Sequence, residues 1–101
     1  MSERTRVPAI SSLEDAVRIF YENLELRTAT IRELFPGISQ SKVSRLKNMA
    51  REEMKNREVD TFDSTAVNTR CAYAAWGLDV AELEYRLQKV RRLKLEGGKQ
   101  A

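Results

Sequence analysis

The stretch "ELFPGISQSKVSRL", residues 33–46, constrains the chain more than any other. An apolar helix end runs into Pro36-Gly37, which stops it, and Ser39 then stands where a new helix needs a cap. Downstream, Val43, Leu46, Ala50 and Met54 fall within about 80° of one another at 100° per residue, so they form one core-facing stripe. "NMAREEMKNRE" contains no breaker, and this helix is expected to reach about Arg57. Its other positions carry Gln40, Ser41, Lys42, Ser44, Arg45, Lys47 and Asn48, and residues 39–48 contain no acidic side chain. A plain solvent face favours Glu-Lys pairs instead. An ordinary solvated face nevertheless stays open as the alternative.

Periodicity elsewhere predicts an all-α fold: a compact five-helix domain over residues 11–95. Residues 1–10 have no period and are expected to form a flexible arm, with residues 96–101, "EGGKQA", as a flexible tail. A first helix is expected over about 12–24, capped by Ser11 or Ser12 and burying Leu13, Ala16, Val17, Phe20 and Leu24. A short second helix, with Thr28 as its cap, buries Ile31, Leu34 and Phe35. After the turn-rich "VDTFDST", Asp63 or Ser64 is expected to cap a fourth helix holding Val67, Cys71, Ala74 and Ala75, which Gly77 ends. Asp79 and Glu82 form a capping box for the last helix. The expected units are thus a helix-turn-helix over about 28–57 and a helical hairpin over about 63–95.

The 101 residues suit one small domain, and 42% hydrophobic with 33% charged residues suits a folded one. A lone Cys71 makes no internal disulfide, the start does not read as a signal region, and the longest apolar run is "CAYAAW". A cytoplasmic protein with no membrane contact is expected. Net charge is only +3, but it is uneven: −2 over residues 1–26, +4 over 27–47, −4 over 48–85 and +5 over 86–101. Two basic blocks between acidic ones point to a polyanion as partner.

"GISQSKVSRL" places an aliphatic residue after Gly37, a cap at Ser39, Val43 six positions after the glycine and Leu46 nine after it. This resembles the second half of the helix-turn-helix in small prokaryotic and phage DNA-binding proteins, and the likeness covers roughly residues 28–48. The resemblance implies that the glycine makes the turn and that the third helix enters the major groove of double-stranded DNA. One position departs from the pattern: Glu33 stands where the family usually has a small residue, which implies a longer turn. Independently of any family, Arg45 suits guanine, Gln40 and Asn48 suit adenine, and Ser41 and Ser44 can bond either base. Thr28, Thr30, Arg32, Lys42, Lys47 and Arg51 are of the types that hold phosphates.

A pseudo-repeat is visible in "GLDVAELEYRL" after Gly77, but Asp79, Glu82 and Glu84 would face phosphate with carboxylates, so its role is expected to be structural. Its stripe of Val80, Leu83, Leu87 and Val90 either completes the core or forms a homodimer seam. The basic "RLQKVRRLK" either holds flanking DNA or merely suits a helix C-terminus. Tyr73, Trp76 and Phe62 read as core or interface anchors. There is no histidine, no Gly-rich phosphate loop and no spaced Cys set, so no catalysis, cofactor, metal or small-molecule ligand is expected. The expected function is sequence-specific DNA binding, as a small transcriptional regulator or a mobile-element accessory protein. The alternatives are a helical adaptor that oligomerises through its last helix, or a DNA-packaging recognition subunit.

Overall fold

Helix α1, Leu13–Glu22, begins where the Ser12 hydroxyl accepts the Asp15 amide. The computed structural model describes residues 7–99, and α1 is followed by β1 (Glu25–Leu26), α2 (Thr28–Leu34), α3 (Gln40–Arg57), β2 (Val67–Asn68), α4 (Thr69–Ala75) and α5 (Val80–Lys99). The fold is all-α with five helices, joined by one antiparallel two-residue ribbon that pairs Glu25 with Asn68 and Leu26 with Val67.

The ribbon corrects two expectations. Helix α1 stops at Glu22 because Asn23 turns to extended backbone while both its amides bond Ile19 O. Leu24 falls in the bend between α1 and β1 and is 80% exposed, whereas Leu26 inside the ribbon is buried, so Leu24 is not a core residue. Val67, expected on the fourth helix, is a strand residue. That helix starts later, capped by Asn68 Oδ1 accepting the Cys71 amide, and neither Asp63 nor Ser64 caps it. The later start turns Ala74 outward and buries Cys71, Ala72 and Tyr73. Asp63 instead accepts the backbone and hydroxyl of Thr65 in a local turn.

Helix α2 has Arg27 at its cap position with no side-chain bond, and Thr28 is its first residue rather than its cap. Ile31, Leu34 and Phe35 are buried, as are Val43, Leu46, Ala50 and Met54 on α3. Ser39 caps α3 through the Lys42 amide. Helix α4 ends with Gly77 at φ 76, where Leu78 N–H bonds Tyr73 O and Gly77 N–H bonds Ala74 O, the paired closure that a left-handed residue permits. Asp79 Oδ1 accepts the Ala81 and Glu82 amides and starts α5.

Strand, seven-residue helix, glycine and capped long helix therefore occur twice, but the two halves pack differently. Helix α4 lies on α3, whereas α5 runs along α1, so residues 63–95 do not fold back as the expected hairpin. The α5 stripe is mostly consumed in doing so. Leu83 belongs to the core, Val80 and Leu87 are half-buried, and only Val90 is exposed, so the four do not remain together as a free seam. The expected arm and tail also change at their inner ends. Val7 and Ile10 pack on the core and Ser11 N–H bonds Leu34 O, while α5 continues through Lys99. Residues 1–6, 100 and 101 lie outside the described residues.

Aromatic side chains of α4 and of its C-cap join the layers. Tyr73 Oη donates to Ala16 O on α1 at 2.6 Å, and Trp76 Nε1 donates to Leu46 O on α3 at 2.9 Å, with the Trp76 ring edge-on to Phe35. Burial pushes the Tyr73 phenol up, so this donor stays protonated across the physiological range. Phe62 is 97% exposed and is no part of this core. Moving the α4 cap from residue 63 or 64 to residue 68 has a measurable consequence. Asn68→Ala is expected to cost about 1 kcal/mol in urea unfolding, while Ser64→Ala changes the unfolding free energy by less than about 0.5 kcal/mol.

Candidate nucleic-acid interface

Helix α3 divides lengthwise by its own periodicity. Its Val43, Leu46, Ala50 and Met54 face is sealed against α4 and β2, which obliges the opposite face to meet solvent. Gln40, Ser41, Lys42, Ser44, Arg45 and Asn48 are all exposed there. The first carboxylate along α3 is Glu52, so its N-terminal half presents cations and neutral hydrogen-bonding groups only. The free amides at the start of α3 add positive potential at the same end.

The structure separates the candidate side chains by what they already touch. Among the described residues, the side chains of Lys42, Ser44, Arg45 and Asn48 have no hydrogen-bond or ion-pair partner. Ser41 shares a 3.1 Å hydroxyl contact with Ser39, and Gln40 Oε1 accepts from Arg32 Nη2 at 3.0 Å. All five candidate base-reading residues thus share one exposed surface.

The candidate phosphate-holding residues do not form one set. Arg32 Nη1 donates to Ile38 O at 2.8 Å and, with its bond to Gln40, staples α2 to the turn and to the start of α3. Lys47 Nζ and Arg51 Nη2 both donate to Thr65 O, at 2.9 and 3.4 Å. Burial, with Arg51 close by, holds the Lys47 amine below the usual lysine range. Thr28 is half-buried, and Thr30 lines a groove with Glu22 and Glu25. Lys42 is the exposed cation of the set that sits beside Arg45 with no partner of its own among the described residues.

Sequence reasoning missed the Thr65 carbonyl as the acceptor that engages two of these cations. The signal was present in "DST", an Asp two residues before a Thr, which forms a local turn and aims the following carbonyl outward. Glu33, the departure from the helix-turn-helix pattern, is exposed and pairs with Arg18 on α1 rather than pressing against α3. Phe35 to Ser39 separate α2 from α3, so the turn is longer than the usual three or four residues.

Cys71 is buried and burial pushes its thiol up, away from the reactive thiolate. Among the described residues no three His, Cys, Asp or Glu side chains gather as a metal-holding group. Comparison with protein-family models, with curated proteins and with solved structures yields no match for the chain.

Arg32→Ala removes two charge-assisted bonds from the turn and is expected to destabilise the fold by about 1 to 2 kcal/mol. Amide exchange should quicken at residues 37–40, and the exposed control Lys42→Ala should leave both readouts near wild type.

Proposed function

We propose that the protein binds double-stranded DNA, with α2 and α3 acting as a helix-turn-helix whose α3 lies in the major groove. The observation that carries this reading is the N-terminal half of α3: six exposed polar residues, no carboxylate before Glu52, and Arg45 and Asn48 without partners among the described residues. A solvated face gains nothing from withholding acidic residues over this length, whereas a surface facing phosphates does.

In this reading Arg45 reads guanine, Asn48 and Gln40 read adenine, and Ser41 and Ser44 bond either base. Lys42 and the α3 amides hold phosphate near the groove edge, and Thr28 lies at the start of α2 for a second backbone contact. Arg32 serves by orienting Gln40. Lys47 and Arg51 contribute field from beside the Thr65 carbonyl, and reach phosphate only by giving up that bond.

A small transcriptional regulator or a mobile-element accessory protein, working in the cytoplasm, is the role that fits best. No helix among the described residues is long and apolar enough to cross a membrane. The exposed Phe62 favours a second activity in protein contact, which an adaptor or a DNA-packaging subunit would also need.

The test is selection from randomised duplexes while salt rises from about 50 to 200 mM. Wild type is expected to enrich one sequence. Arg45→Ala should lose discrimination at one base pair by about 1–3 kcal/mol, while Lys42→Ala weakens all duplexes alike and lowers the salt slope by about 0.9. Absence of wild-type binding at the lowest salt would remove this reading.

A further inference from the structure

Two exposed apolar patches remain that neither the core nor the α3 surface uses. The first follows the C-terminal end of α1. Leu24 and Phe62, 80% and 97% exposed, line one groove of about 390 Å³, and Leu24 continues into a neighbouring groove beside Tyr21. Phe62 is not on a loose loop. The Glu25 carboxylate accepts the amides of both Phe62 and Asp63, Arg27 Nε bonds Asp63 at 2.9 Å, and Thr61 Oγ1 bonds Asp63 O at 2.8 Å. A structured loop thus holds a large aromatic ring in water beside the exposed Leu24. Acidic side chains outnumber basic ones around this patch, Glu22, Glu25, Asp60 and Asp63 against Arg27 and Arg70; Glu22 pairs with Arg18 and Arg27 with Asp63, while Asp60 has no partner among the described residues.

The second patch is the far end of α5, where Val90 and Leu93 lie one turn apart on the same side of the helix and are both exposed. Residues 86–95 contain five basic side chains and no acidic one. Glu84 lies beside the Tyr21 hydroxyl at the C-terminal end of α1 and holds that phenol above the usual range, and Arg91 pairs with Glu14 at the N-terminal end of α1. The basic end of α5 therefore runs past the start of α1, and the Phe62 groove follows its end. The two patches cannot meet within one chain.

We infer that the α5 end of one copy docks in the Phe62–Leu24 groove of a second copy. Leu93 and Val90 cover Phe62 and Leu24, and Lys89, Arg92 and Lys94 meet Asp60 and share Glu22 with Arg18. The contact is head-to-tail, so each copy keeps one groove and one α5 end for further copies, and open chains form rather than closed dimers. Symmetric pairing of two α5 ends is disfavoured because it places basic segments side by side.

The measurement is sedimentation velocity of the full chain without nucleic acid, up to about 1 mM protein at low salt, so the outcome stands apart from the DNA reading. Wild type is expected to grow in mass with concentration and to shrink when salt is added. Phe62→Asp and Leu93→Glu, both at exposed positions and checked for wild-type helicity, should each be monomeric alone. Mixed one to one, they should form a species of about twice the monomer mass and nothing larger, because one intact groove meets one intact α5 end. A wild type that stays monomeric, single variants that still associate, or a mixture that stays monomeric overturns the inference.

Discussion

Two hydrogen bonds from a two-turn helix hold this molecule in its shape. Tyr73 reaches α1 and Trp76 reaches α3, each ending on a main-chain carbonyl inside the core. A buried donor without an acceptor costs more than the bond returns, so each ring has essentially one place to go once it is buried. Helix α4 thereby sets how α1 and α3 lie relative to each other. The exposed face of α3 follows from that, since α4 and β2 occupy its apolar side and leave the Arg45 side to solvent.

The same economy governs the cations. A guanidinium or ammonium close to a main-chain carbonyl that lacks a partner will take it, and Arg32, Lys47 and Arg51 have done so. What is left on α3 is a narrower group than residue types alone imply, centred on Arg45 and flanked by Lys42, Ser44 and Asn48. Structural staples and unengaged exposed side chains alternate along one helix. The turn before it is long, and Arg32 spans it.

Charge separation along the chain becomes charge separation in space. The basic segment 86–95 runs past the N-terminal end of α1, and acidic residues outnumber basic ones around Phe62 beyond the opposite end. Neither end can neutralise the other internally. Salt screens both ends of this asymmetry, so any association that draws on it weakens as salt rises.

Much of the helical architecture was legible because its signals are local. The stripe from Val43 to Met54, the caps at Ser12, Ser39 and Asp79, and the stop at Gly77 each lie within a few residues of the effect they produce. The exposed face of α3 was legible for the same reason, being whatever the stripe does not use. The ribbon was not, since strands of two residues carry no period and their pairing joins Leu26 to Val67 across the α2–α3 unit. With the ribbon unseen, Leu24 looked buried and the start of α4 looked several residues too early. Sequence alone determined that five helices form and which side of α3 is polar, because periodicity and caps act over one or two turns. Only the tertiary structure decided that α5 spends its stripe on α1, that Phe62 stands in water, and which cations are already bound, because those outcomes depend on carbonyls and surfaces brought together from distant parts of the chain.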